Sequence, residues 1–133
     1  HLTFVFAPKL GLVPDMGGTY FLARRIGEAR ARAFALTGQP IGAEEAARIG
    51  LIAECVEDAQ FESRTNEIVA ALAAGPRDAF LGVRALMATA VTASLPAQLE
   101  AEAAAQAKLG DSPDFVEGVT AFREKRAPKF GAR

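Results

Sequence analysis

The residues best suited to chemistry lie in Gly11-Leu12-Val13-Pro14-Asp15-Met16-Gly17-Gly18-Thr19, where one carboxylate stands just before a Gly-Gly pair that opens a helix. A single acid in such a place can take a proton from carbon and return it elsewhere, if its surroundings keep it reactive. Two influences oppose each other there. Leu12, Val13, Met16 and Tyr20 would withdraw water and favour the uncharged acid. The N-terminus of the following helix would favour the carboxylate. The sequence does not decide between them, and a plain role for Asp15 as a helix cap or turn residue stands beside the chemical one.

A second group is basic. Arg123, Lys125, Arg126 and Lys129 cluster with Phe122 and Phe130 at the C-terminal end. Cations of this kind pair with phosphate and aromatic rings stack on a base, yet the same cations also complement the dipole at a helix C-terminus. Arg24, Arg25, Arg30 and Arg32 are spread around a helix, which points to exposed salt bridges rather than a phosphate cradle. Cys55, set among apolar residues with no histidine near it in sequence, reads as a buried, inert thiol. His1, the sole histidine, is assigned no chemistry. Gly17-Gly18 lacks the strand, G-x-G-x-x-G and helix context of a nucleotide fingerprint. No cluster of His, Cys or carboxylates has the spacing of metal ligands, so no metal is expected.

The elements that must position these residues are mostly helical. Leu2 to Phe6 reads as an extended segment. Three glycines and a proline within the eight residues from Gly11 mark a shaped loop. Phe21, Leu22, Ile26, Phe34 and Leu36 then recur near a period of 3.6, with Gly27 separating two short helices. Thr37-Gly38-Gln39-Pro40 breaks the pattern. Ala43 to Arg48 is a short helix ended by Gly50, and Leu51 to Val56 reads as a short strand. Further helices are expected from Asp58 to about Ala74, Arg77 to Thr92, Ser94–Pro96 to Leu109, and Asp114 to about Arg126. Phe21, Phe34, Phe61, Phe80, Phe115 and Phe122, at helical spacing, read as core or interface residues. The chain is thus mainly α with one or two short strands, and such strands lack partners for a free-standing sheet.

Composition narrows the classes. Half of the 133 residues are hydrophobic and 23% are charged, so the chain can bury a core and is not a disordered tail. Its net charge of −1 supplies no long-range field for nucleic acid or anionic lipid. One cysteine cannot form an internal disulfide, which suits a reducing cytoplasm. Apolar runs are interrupted well before the roughly 20 residues a bilayer requires. The chain opens without Met and already strand-like, which reads as a piece of something longer.

The pattern Lys9-Leu10-Gly11-Leu12-Val13-Pro14-Asp15-x-Gly17-Gly18-Thr19, then Leu22-x-Arg24 and Ile26-Gly27, resembles the crotonase (enoyl-CoA hydratase/isomerase) superfamily. The likeness continues through Ala33-Phe34-Ala35-Leu36-Thr37-Gly38, Ala43-x-x-Ala46 and Gly50-Leu51-Ile52. It returns in Asp114-Phe115-x-Glu117-Gly118-Val119-x-Ala121-Phe122-x-x-Lys125-Arg126-x-Pro128-x-Phe130. Within the family, Val-Pro-Asp-x-Gly-Gly looks most like the PaaG-type isomerases of phenylacetate degradation. The resemblance implies the C-terminal part of the crotonase (ClpP/crotonase-like) α/β spiral fold. Residues 1–60 would form the back edge of the spiral core, carrying the Val-Pro-Asp-x-Gly-Gly turn. Residues 61–133 would form the helical region that builds trimers or hexamers.

The resemblance also implies roles. Asp15 would shuttle the proton, with Gly17 and Gly18 shaping the turn that aims it; Leu12, Tyr20 and Phe21 would line an acyl pocket. Lys129 and Phe130 would contact the phosphates and adenine of coenzyme A, whose thioester is substrate, with no resident cofactor, nucleic acid or membrane partner. The second glutamate of hydratases falls at Ala7 here, which favours an isomerase over a hydratase. The family's oxyanion hole belongs to a front half that this chain does not match, so the chain alone is expected to be inactive. A non-catalytic oligomerisation module is the other reading. Helical faces left bare by a missing core would favour self-association.

Overall fold

Gly27 divides the first helical stretch because its backbone adopts φ 80° and ψ 154°, a combination open essentially to glycine alone. On either side lie α1 (Gly18–Ile26) and α2 (Glu28–Thr37). Leu22 and Ile26, four apart on α1, turn inward to meet Ala31 and Phe34, three apart on α2. Those four are buried, and Ala23, Ile41, Ile49 and Leu51 pack around them. Burying a Leu, Ile or Phe side chain is worth about 1.5–3 kcal/mol, so this small cluster is what holds the two helices together. Phe21 and Leu36, expected to share that face, are 60% and 64% exposed. The apolar period therefore marks the inward stripe correctly but overstates its width.

The computed structural model describes residues 2–3 and 5–131, and the chain divides into two compact units, His1–Gln60 and Phe61–Arg133. In the first unit α3 (Ala43–Arg48) follows, with Ala46 fully buried. The extended reading of Leu2 to Phe6 contains Phe4, which lies outside the described residues, as does His1. Of the rest, Leu2 forms a single antiparallel bridge with Ile41, through reciprocal N–H to carbonyl hydrogen bonds of 2.8 Å. Phe6–Leu10 turns instead into a π-helical segment closed by the Gly11 N–H on the Phe6 carbonyl. Leu51 to Val56 is likewise not a strand: the Leu51 and Ile52 amides both donate to the Ala46 carbonyl, and the chain runs on in bends. Strands need a ladder of neighbours, and no such ladder occurs among the described residues. The same cause corrects Cys55, which is exposed rather than buried.

The second unit is a succession of helices. α4 (Asp58–Ala73) begins at the boundary, followed by α5 (Arg77–Ala90), α6 (Leu95–Gly110) and α7 (Pro113–Glu124). α5 packs on α6, and α6 on α7. Ser94 caps α6 by accepting from the Ala97 N–H at 3.4 Å, and Ser112 caps α7 by accepting from the Phe115 N–H at 3.2 Å. Each cap precedes a proline in the first turn, where a missing N–H costs nothing. Among the described residues of this unit only Ala121 is buried. Phe61, Phe115 and Phe122 are 66%, 55% and 85% exposed, so their apolar faces have no cover within the unit. Among the described residues no helix is long and apolar enough to cross a membrane.

Candidate functional site

Asp15 is placed by backbone geometry rather than by its own side chain. Its carbonyl accepts from the Gly18 N–H at 2.8 Å, closing a turn whose inner residues, Met16 and Gly17, both have positive φ (51° and 78°). A glycine takes that conformation freely, whereas for Met16 it costs about 1–2 kcal/mol. Gly17 is constrained twice over. A Cβ added there would meet the Phe21 ring at 2.8 Å, on top of the left-handed backbone. Gly17 then serves as the N-cap of α1 without any side-chain cap, and its carbonyl accepts from the Phe21 N–H at 2.9 Å. The Asp15 carboxylate therefore does not cap the helix. It makes no hydrogen bond or ion pair with any described residue, and it is exposed.

The apolar surroundings expected for Asp15 are present in sequence but open in space. Leu12, Val13 and Met16 are 60%, 79% and 94% exposed, so this chain by itself does not withdraw water from the carboxylate. Tyr20 and Phe21 do meet, edge to face, with ring centroids 5.2 Å apart. The Arg24 guanidinium stacks 3.5 Å above the Tyr20 ring, which accounts for one of the four arginines of this stretch. Arg32 pairs with Glu28 one turn away. Leu12 lies apart on the loop between the π-helical segment and α1. Ala7 is half-buried in that segment.

At the other end of the chain, Lys129 and Phe130 sit on a tail folded back along α7. The helix stops because Lys125 adopts φ 54°, letting the Arg126 N–H reach the Ala121 carbonyl. Arg126 then grips Glu117 through both terminal nitrogens, Nη1 at 2.6 Å and Nη2 at 2.9 Å, while its Nε donates to Glu124 at 2.6 Å. Glu117 accepts a third bond, from the Lys129 N–H at 2.7 Å, and Asp114 accepts from the Gly131 N–H at 3.0 Å. The Arg126 guanidinium, and after it the Lys129 amide, hold the Glu117 carboxyl down to about 2; Glu117 and then Glu124 push Arg126 upward in turn. The Lys129 side chain is exposed, and the half-buried Phe130 ring lies beside Gly118. Phe130 also lines an open groove of 1440 Å³ between α5, α6 and α7, whose apolar walls include Val83, Met87, Leu99 and Phe115.

From sequence, Arg123, Lys125, Arg126 and Lys129 fit phosphate contact and a helix end equally. The structure separates them: Arg126 is committed to carboxylates, whereas Lys129 presents its side chain to solvent. Glu117 and Asp114 organise the tail without any signal of it in the sequence. No periodicity signals a contact across nine residues and a left-handed turn. Among the described residues no group of three or more His, Cys, Asp or Glu could hold a metal ion.

A family model described as enoyl-CoA hydratase/isomerase matches residues 5–133. A curated protein of Rhodobacter capsulatus described as "probable enoyl-CoA hydratase" is 50% identical over 94% of this chain and 49% of its own length. The 1,2-epoxyphenylacetyl-CoA isomerase of Escherichia coli K12 is 39% identical over 96% of this chain and 49% of its own. In the crystal structure of enoyl-CoA hydratase from Bacillus anthracis, 49% of that chain superposes on 95% of this one, with a TM-score of 0.87 at 30% identity. The chain thus spans about half the length of the curated relatives it matches.

Proposed function

Given that the chain belongs to the enoyl-CoA hydratase/isomerase (crotonase) family and has the fold of its C-terminal part, we propose that it serves an enzyme shifting the double bond of an enoyl-CoA thioester, with Asp15 as proton shuttle. The observation that carries this reading is the Asp15 carboxylate: it has no partner among the described residues, although the turn that presents it is tightly specified by Met16, Gly17 and Phe21. Strain retained at a turn that leaves an acid unpaired is what a positioned base calls for. In the reaction, Asp15 takes a proton from the α or γ carbon. The C–H electron pair delocalises into a dienolate on the thioester, and the protonated acid returns the proton at the other end. One acid suffices for that exchange, and Ala7 offers no second one.

The oxyanion donors would come from a part of the enzyme that this chain does not match. So would the cover over Leu12, Tyr20 and Phe21 that makes an acyl pocket, since one lost oxyanion donor costs roughly 10²–10³ in rate. Lys129 and Phe130 would contact the phosphates and adenine of coenzyme A. The exposed faces of α4 to α7 support assembly into trimers or hexamers, with residues 61–133 as the assembling region and residues 1–60 as the edge of the spiral core. The sole cysteine suits the cytoplasm, and the Escherichia coli relative suggests an aromatic or epoxide-derived acyl group, as in phenylacetate degradation. No resident cofactor is invoked.

A hydratase, and hence a lyase, is the second reading, favoured by the description of the Rhodobacter capsulatus relative. Asp15→Asn in the active enzyme separates the two. An isomerase loses incorporation of solvent deuterium at the substrate's α carbon and forms no 3-hydroxyacyl-CoA beforehand. Unchanged exchange would remove Asp15 from the reaction.

A further inference from the structure

We propose that Glu117 is a positioning residue for coenzyme A, acting through the tail: by binding Arg126 and the Lys129 amide at once, it fixes the segment that presents the Lys129 ammonium and the Phe130 ring. This rests on the reading that Lys129 and Phe130 contact coenzyme A. Past the left-handed Lys125 the tail has no secondary structure of its own, and tail residues such as Lys129 are exposed. Beyond the half-buried Phe130 ring beside Gly118, burial does little to hold it. What holds it is four hydrogen bonds onto the first two turns of α7: the two-pronged Arg126–Glu117 pair, Lys129 N–H to Glu117, and Gly131 N–H to Asp114.

The geometry is unusually well determined for a surface contact. A guanidinium fork on a carboxylate fixes two atoms at once, so Arg126 cannot swivel as a single-bonded pair would. The second bond on Glu117 Oε1 comes from the backbone of Lys129 itself, so the carboxylate sets where that residue's Cα lies and leaves its side chain outside. Asp114 holds the far side, at Gly131, so Phe130 is bracketed between two anchored amides. Glu124 shares the guanidinium through Nε and resists its departure. An ordered segment has already lost the conformational freedom that a loose tail would give up on binding, and that difference appears as affinity.

The test uses the whole protein with coenzyme A as the probe, its dissociation constant measured by calorimetry, and the ¹⁵N heteronuclear NOE of Arg126, Ala127, Lys129, Phe130 and Gly131 read in parallel. Glu117→Gln removes the charge while keeping the shape. It is expected to weaken coenzyme A binding about tenfold and to lower the NOE of the tail, with α7 still helical. Lys129→Ala is expected to weaken binding by a similar factor, and the double variant by less than the product of the two factors, because the loss of Glu117 acts in part through Lys129. Arg126→Lys, which keeps charge but loses the fork, should fall between wild type and Glu117→Gln. If Lys129→Ala weakens binding and Glu117→Gln does not, the positioning role is overturned while the coenzyme A contact stands. If Lys129→Ala leaves affinity unchanged, the contact itself is wrong and the positioning role falls with it. A fully additive double variant overturns the role of Glu117 alone.

Discussion

In His1–Gln60 order comes from burial: Leu22, Ile26, Ala31 and Phe34 form one closed cluster, and the Asp15 turn hangs from the first helix of that cluster through Gly17 and Phe21. In Phe61–Arg133 burial is almost absent, with Ala121 alone below the surface among the described residues. Order there comes from serine caps and from carboxylates that bind the returning tail. The contrast teaches where each unit is vulnerable. A core fails when an apolar side chain is shortened. Helices whose apolar faces lie open fail through their polar fastenings, or gain a core only when another surface arrives to cover them.

The sharpest way to break this comparison is to shorten one phenylalanine in each unit. Phe34→Ala should destabilise the first unit by about 3–5 kcal/mol, read as a lower urea midpoint. Phe122→Ala, at a position 85% exposed, should change the midpoint of the second unit by less than about 0.5 kcal/mol in dilute solution. A Phe122→Ala cost as large as that of Phe34→Ala would show that another copy or another segment covers α7.

A smaller effect is expected at the turn. Gly17→Ala combines a left-handed backbone with a Cβ only 2.8 Å from Phe21, and should cost about 1–2 kcal/mol by the same measurement. An unchanged midpoint would mean that the turn is not held by Phe21 and does not aim Asp15 rigidly.

The mildest test is one of pH, at the tail. Glu117 is held down to about 2 by Arg126 and the Lys129 amide, with the Lys129 ammonium and the Glu124–Arg126 pair close by. A depressed carboxyl contributes stability that is complete above its unfolded value, near 4.3, and is lost as pH falls toward the folded value. The Lys129 amide resonance, which reports its bond to Glu117, should therefore be unmoved at pH 4.3 and begin to shift only below about pH 3. A midpoint near 4.3 would place Glu117 in water and the tail free of α7.

Much of this was legible beforehand for reasons that can be named residue by residue. Gly27, Gly38 and Gly50 punctuate helices wherever they occur, Ser94-x-Pro96 announces a helix start, and α3 runs over the expected Ala43–Arg48. The Val-Pro-Asp-x-Gly-Gly turn showed itself through composition, since few residues but glycine tolerate its backbone. What stayed hidden was anything requiring a partner. Leu51 to Val56 has the composition of a strand, yet without a neighbour to accept its hydrogen bonds it bends back onto Ala46, and Cys55 goes to the surface with it. The phenylalanines of the second unit have core spacing, and yet no core.

Sequence alone settled the helices, their breaks and the placing of one acid before two glycines, because propensity, capping and left-handed turns act over a few neighbouring residues. Only the tertiary structure decided that the Asp15 carboxylate does not cap α1, that Met16 bears the strain of the turn, and that Arg126 binds Glu117. Those outcomes depend on which groups are brought within hydrogen-bonding distance once the backbone has turned back on itself, and no local preference encodes that distance.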